Sequence, residues 1–365
     1  MASANAFLLS RVLLQFSESS EEIHEDIIGE LSAAALTPDG SLWVASDECI
    51  GLERLSPTAG ATFGQHRKFP LKEYVDLFNL DDEIDIEGLG YSDNYLWFTG
   101  SHSSKRKKAK GKSDATDIER IETIKTDANR YLLGRVPVFN GELYRSYQPR
   151  DSAEPLVAAS IEKAKADAGN VLTEALQDDP HLGPFLRFNL PSKDNGFDIE
   201  GLAASGDRLF LGLRGPVLRG AAIILELEIQ ENGSGILTLR PIGPEGQLYK
   251  KHFLALTGLG VRDLCLQGED LIILAGPTMQ LEGVIRAFRL RGALSLSHES
   301  FSQLDDGELE LLFDLPFSPG FDHAEGISLY PMLGVEDAVL VVYDDPAPER
   351  FHGKGAVYGD VFRLP

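Results

Sequence analysis

Cysteine is nearly missing from this chain of 365 residues: Cys49 and Cys265 stand alone, without the paired spacing of a metal site or a disulfide framework. Such usage suits a reducing compartment, where two thiols serve as small hydrophobes. Equally missing is a run of ~18 apolar residues able to cross a bilayer. The start, Met1-Ala2-Ser3-Ala4-Asn5-Ala6-Phe7, has no basic stretch of the kind that opens a secretory leader. A soluble, cytoplasmic protein is expected. Positive charge is scarce too. Lys and Arg total 34 against 57 Asp and Glu, for a formal net charge of -23. That balance excludes general nucleic-acid binding, which rewards Lys and Arg through counterion release, and disfavours an anionic membrane surface. No Gly-x-Ser-x-Gly, Walker A or dinucleotide fingerprint occurs, and Gly111-Lys112-Ser113 lacks the upstream Gly of a phosphate loop. The best-known nucleophile motif is therefore out, and so is a nucleotide or flavin cofactor.

What is present is a repeat. Asp85-Ile86-Glu87-Gly88-Leu89 returns as Asp198-Ile199-Glu200-Gly201-Leu202 and as His323-Ala324-Glu325-Gly326-Ile327. Each copy leads, after a few turn residues, into a second apolar run: Tyr95 to Phe98, Arg208 to Leu211 and Ala338 to Val342. This reads as one hairpin used three times. Two weaker copies follow the same spacing, Leu36 to Val44 and Leu264 to Ile273, and the Glu position aligns as Ala33, Glu87, Glu200, Arg262 and Glu325.

Four short strands per copy make a propeller blade. In the third copy they are Ile199 to Ala204, Arg208 to Leu213, Ala222 to Ile229 and Leu237 to Pro241; in the fourth, the outer strand is expected at Leu294 to Phe301. The last copy stops at its third strand, Ala356 to Leu364, so the N-terminal run Phe7 to Phe16 is expected to supply the fourth and close the ring. The expectation is a single all-β domain over 1–365, a five-bladed β-propeller, with six blades as the alternative. Two partly helical inserts should sit on one face. One, 102–130, joins a basic loop to a helix around Asp117 to Lys125. The other, 151–185, is read as helical from Glu154 to Leu182.

Adjacent antiparallel strands bring the start of each inner strand beside the end of the second strand. Asp85, Glu87, Asp198, Glu200, Arg262, His323 and Glu325 are therefore expected at one channel mouth, with Asp47, Glu48, Ser101, His102, Arg214, Asp344 and Asp345. Crowded carboxylates repel, so a cation must compensate. Arg214 and Arg262 supply part of it. A hard divalent ion, Ca²⁺, Mg²⁺ or Mn²⁺, on Asp47, Asp85, Glu87, Asp198, Glu200, Glu325 and Asp344 would supply the rest. Alternatively the acids accept backbone N–H bonds and plug the channel. Zinc on His102 or His323 is disfavoured, because no His or Cys partner spacing supports it.

Both inserts leave from this mouth, and Lys105 to Lys112 carries six positive charges in eight residues. As a lid, that block and Arg130 suit a small anionic ligand; as a solvated loop, it points into water.

The Asp-Ile-Glu-Gly-Leu copies, Phe98 to Ser103, Thr126-Asp127-Ala128-Asn129-Arg130, Gly212 to Pro216 and Asp322 to Gly326 together resemble the bacterial family catalogued as domain of unknown function 3616. The resemblance implies a β-propeller, similar in its Asp-x-Glu-Gly-Leu element to the esterase-like phytase propellers. It implies no established activity. Two functions are carried forward. The first is a metal-assisted hydrolase of a small anionic (phospho)ester, with His102, Arg214, Arg262 and His323 as catalytic candidates. The second is a non-catalytic propeller platform for a ligand or a protein partner.

Overall fold

The computed structural model describes residues 6–16, 26–46, 49–80, 82–150, 152–165, 168–279 and 281–365. Every expected hairpin is present. The inner strands Leu31–Leu36, Ile86–Ser92, Asp198–Ser205, Gly260–Gln267 and His323–Leu329 pair antiparallel with Leu42–Ser46, Tyr95–Gly100, Arg208–Gly215, Asp270–Gly276 and Ala338–Asp344. Third strands follow at Gly51–Pro57, Leu133–Phe139, Ala222–Glu231, Arg286–Leu290 and Ala356–Arg363. Each of these inner strands contacts the inner strand of the next unit, and His323–Leu329 contacts Leu31–Leu36, so among the described residues the inner strands form a closed circle. That circle makes the fold a β-propeller. Trp43, Trp97, Phe98, Phe210, Phe288 and Tyr343 are buried in the layers between units, where large apolar side chains fill the wedge.

Closure uses the N-terminal strand, as the missing fourth strand of the last unit required. Leu8–Gln15 pairs antiparallel with Ala356–Arg363 and, at Leu13 and Leu14, parallel with Thr62 and Phe63 of the first unit. First and last units thereby share one eight-stranded sheet.

The outer strands correct the sequence reading in two places. Part of the 151–185 insert is not helical: Ala159–Ile161 pairs with Gly134 and Arg135 as the outer strand of the second unit. Its apolar run, Leu156 to Ile161, is too short for periodicity to separate helix from strand. The unpaired edge of Leu133–Phe139 decides it. Among the described residues of the insert, helix is confined to Val171–Leu176, started by the Asn170 cap, and Gly183–Arg187. In the fourth unit the outer strand is Leu309–Asp314 rather than Leu294 to Phe301. Gly292 takes a left-handed turn and Ala293–Ser295 coils, which carries the chain away until Ser300–Ser302 pairs with Lys250–Leu254 of the third unit. The first insert does contain a helix, Asp114–Glu122, capped by Ser113.

One irregularity recurs in all five units. The inner ladder slips by a residue between Leu31 and Ala33, Ile86 and Gly88, Ile199 and Gly201, Val261 and Asp263, and Ala324 and Gly326. The extra residues are Ser32, Glu87, Glu200, Arg262 and Glu325, so the first copy aligns on Ser32 and not on Ala33. A bulge re-aims the side chain it carries. The residue after it must let the next unit approach: a Cβ on Gly201 would lie 3.0 Å from the Asp263 Cα, and one on Gly326 3.0 Å from the Ala33 Cα. Gly201→Ala is expected to lower stability by roughly 1–3 kcal/mol, as overpacking does, read from urea unfolding. A loss under about 0.5 kcal/mol would show that neighbouring inner strands are not held at this spacing. Asp263 takes the Gly position in the fourth unit. Its buried carboxylate accepts from the Leu264 and Ile327 amides at 2.7 and 2.8 Å and stitches the fourth unit to the fifth.

Candidate functional site at the channel mouth

The register places Ile86 opposite Gly100, Asp198 opposite Gly215 and His323 opposite Asp344, so these strand ends share one end of the ring. There the bulge residues meet in a chain of alternating charge. Asp198 pairs with Arg214 Nη2 at 2.5 Å, Arg214 Nη1 with Glu200 at 2.6 Å, Glu200 with Arg262 Nη1 at 2.9 Å, and Arg262 Nη2 with Glu325. Glu87 lies within the field of Arg130, Arg214 and Arg262. The three repeat glutamates thus converge, from three different units.

Arg130 extends the same mouth. Its Nη2 pairs with Asp85 at 2.7 Å, and it donates to the Ser103 carbonyl and hydroxyl at 2.9 and 2.8 Å. The four carboxylates Asp85, Asp198, Glu200 and Glu325, expected to share a metal ion, are thus found in ion pairs with arginines. Asp47, with Glu48, lies outside the described residues. Asp344 stands apart from this chain, with His323 and Asp345. Donor atoms of these three lie within 4.8 Å of one another. His323 also approaches Glu282 at 3.6 Å.

His102 is a buried strut rather than a mouth group. Nδ1 donates to the Gly100 carbonyl at 2.8 Å, which leaves Nε2 to accept from Asn170 at 2.7 Å. Asn170 also donates to the Tyr131 carbonyl and accepts from Leu172 and Thr173, tying the second insert to the ring. Burial, opposed by the Gly100 contact, pushes the imidazole down to about 4. Because the folded value lies below the unfolded one, its contribution is present above about pH 6.5 and is lost as pH falls through 4. The shift corresponds to roughly 3 kcal/mol. Urea unfolding at pH 7 and pH 4 should show a fall in wild-type stability larger by about that amount than in His102→Gln. Equal falls would mean that the charged ring is accommodated.

The basic block is partly anchored. Lys105 pairs with Glu83 and Asp127, and Arg106 with Asp194 at 2.8 Å, while Lys107, Lys108, Lys110 and Lys112 have no ion pair among the described residues. Between the two inserts lies a cavity of about 330 Å³, with Ser103 and Tyr131 in its wall.

A family model matches residues 30–360, nearly the whole repeat. The chain belongs to the DUF3616 family, described as protein of unknown function. No curated protein matches the sequence significantly. Solved structures similar to this DUF3616 chain include virginiamycin B lyase from Staphylococcus aureus, at 10% identity and TM-score 0.36 over 97% of this chain and 99% of that one. The PQQ-bound aldose sugar dehydrogenase of Streptomyces coelicolor is similar at 10% identity and TM-score 0.37, over 97% and 98% of the two chains. Likeness at this level carries no chemistry to the DUF3616 mouth. No helix among the described residues is long and apolar enough to cross a membrane.

Electrostatics set two acids of the DUF3616 mouth apart, Glu200 and Asp198. Burial raises Glu200 to about 7, with Asp198 and Glu325 adding to the rise and Arg214 and Arg262 opposing it. Burial raises Asp198 as well. For Arg214, burial disfavours the charge, but Asp198 and Glu200 more than offset it and hold the guanidinium protonated. The sequence had offered Glu200, Arg214 and Arg262 as candidates. Ser103 entered only as the last residue of the Phe98 to Ser103 stretch, with no role assigned, and Asn170 carried no motif, so only the fold brings them in.

Proposed function

We propose that this chain is a five-bladed propeller hydrolase whose channel mouth cleaves a small anionic (phospho)ester with the help of a divalent cation. The observation that supports it best is Glu200 held between two guanidinium groups that keep a spare donor. The Nε atoms of Arg214 and Arg262 are buried and have no hydrogen-bond partner among the described residues. Buried N–H groups left over in this way call for water or a ligand oxygen, and in a site of low dielectric they favour developing negative charge. A carboxyl that titrates near neutrality suits a general base at working pH.

In this reading Glu200 takes a proton from an attacking water, the ester bond to the leaving oxygen breaks, and the proton passes to that oxygen. Arg214 and Arg262 orient Glu200 and receive the charge that builds on the ester. The two carboxylates of Asp344 and Asp345 suit a hard divalent ion, and the His323 imidazole beside them favours Mn²⁺ over the oxygen-preferring Mg²⁺ and Ca²⁺. A cation there supplies Lewis-acid polarisation. Phosphoesters and lactones assayed with each ion are expected to include an anionic ester that is turned over, with at least about a tenfold loss in Asp344→Asn. Absence of turnover with every ion would overturn the reading.

A specific feature favours a second reading, a binding platform. The helix Asp114–Glu122 has no buried residue, and Ile118 and Ile121 stand exposed beside the unpaired lysines. A pull-down whose captured protein is lost on deleting 105–112, from a chain that turns over no ester, would support it.

A further inference from the structure

The cavity between the two inserts is a built polar pocket that the mouth chemistry does not use. Ser103, Ser104, Tyr131, Phe185, Asn189 and Phe197 are among the residues of its wall, and among the described residues no Lys, Arg, Asp or Glu joins them. Its volume, about 330 Å³, falls in the range that small-molecule sites occupy. Tyr131 is only 8% exposed, and its ring packs edge-on against His102. The Tyr131 carbonyl is taken by Asn170. Its hydroxyl has no hydrogen-bond partner among the described residues and is not among the sealed, unpartnered polar atoms of the interior, so a molecule in the cavity can reach it. Burial raises that phenol above its ordinary range, so it stays a neutral donor. Among the described residues the Ser104 hydroxyl reaches only the Asn189 carbonyl, at 3.4 Å.

We infer that this pocket binds a neutral, hydroxyl-bearing ring, whose oxygens meet Tyr131 and Ser104 and whose apolar face lies on Phe185 and Phe197. Neutrality follows from the wall. A phosphate or carboxylate placed here would lose its water and meet no cation in the wall itself, since Arg130, whose charge is felt at Tyr131, is already paired with Asp85 and bonded to Ser103. His102 does not alter this, because both its nitrogens are already engaged within the protein. A ring with hydroxyls at its rim and C–H groups on its face satisfies both kinds of wall at once. The site stands apart from the ester chemistry proposed for the mouth, although Ser103 belongs to the wall here and takes two bonds from Arg130 there. Its ligand need not be a substrate.

Saturation-transfer NMR on the full chain tests this with methyl β-glucopyranoside and myo-inositol as neutral rings, and glucose 6-phosphate and inorganic phosphate as charged counterparts. At least one neutral ring should receive saturation, and its affinity should fall about five- to tenfold in Tyr131→Phe, the loss of one neutral hydrogen bond. Phe301→Ser, in the wall of the separate cavity lined by Phe253 and Phe301, should leave binding unchanged and so localise it. Ser104→Ala gives a second reading of the same wall should Tyr131→Phe unfold. Silence from both neutral rings would overturn the inference. So would unaltered affinity in Tyr131→Phe, or in Ser104→Ala if that variant replaces it. Binding of glucose 6-phosphate as tight as that of a neutral ring would overturn it too.

Discussion

Arg214→Gln is expected to destabilise the chain by about 3–5 kcal/mol at neutral pH, the loss typical when one partner of a buried ion pair is removed. Arg214 is the link between Asp198 and Glu200, both almost fully buried, and among the described residues no other arginine pairs with Asp198 at salt-bridge distance. Without it two carboxylates stand in a desolvated mouth with one cation fewer. Their folded pKa values, already above the ordinary range, rise further. A group whose folded value exceeds its unfolded value contributes stability at low pH and loses it as pH climbs. The gap between wild type and variant should therefore be wider at pH 8 than at pH 5, as read from denaturant unfolding at both. A flat gap under about 1 kcal/mol would mean that water, not Arg214, satisfies these acids.

Glu200→Gln is expected to act on rate rather than on folding. The amide has nearly the shape of the carboxylate and still offers an oxygen to Arg214 or Arg262, and each arginine keeps a second acid, Asp198 or Glu325. Stability should fall by only about 1–3 kcal/mol. Turnover of an anionic ester should fall by roughly 10²–10⁴, the share a positioned general base supplies. Rate per folded molecule and unfolding free energy, measured on the same preparation, separate the two roles. A variant that is less stable yet equally fast would make Glu200 a strut of the inner ring.

Much of this mouth was legible in the sequence because a repeat converts spacing into geometry. Once Glu87, Glu200 and Glu325 occupy the same register position, ring closure must gather them, and Arg262 comes along at its own copy. The bulge itself was invisible, since a slip of one residue leaves no mark in composition. It is why the first copy was aligned on Ala33 when Ser32 is the equivalent residue, with its hydroxyl on the Ile86 carbonyl at 2.6 Å. His102 was placed at the mouth because it follows the second strand by two residues. Its left-handed backbone turns the ring instead toward Asn170, a partner 68 residues away that no local pattern reveals. The outer strand Ala159–Ile161 was hidden for a related reason. Six apolar-rich residues carry too little periodicity, and the deciding partner, Leu133–Phe139, lies outside the insert. Arginines as the counter-ions of the acids were foreseen only in part. Arg214 and Arg262 sit within or beside the repeat, whereas Arg130 arrives from the far end of an insert.

The pH dependence of kcat/KM for the best-cleaved anionic ester, measured from pH 5 to 9 in wild type and Glu200→Gln, tests catalysis at the mouth most directly. With Glu200 as the base, activity must rise as the carboxyl loses its proton, so the wild-type profile should reach half its plateau near pH 7 and level off above it. The Gln variant should lack that limb across the whole range. An identical profile in the two proteins would contradict the assignment of Glu200, and with it the reading of the arginine-bridged mouth as an active site.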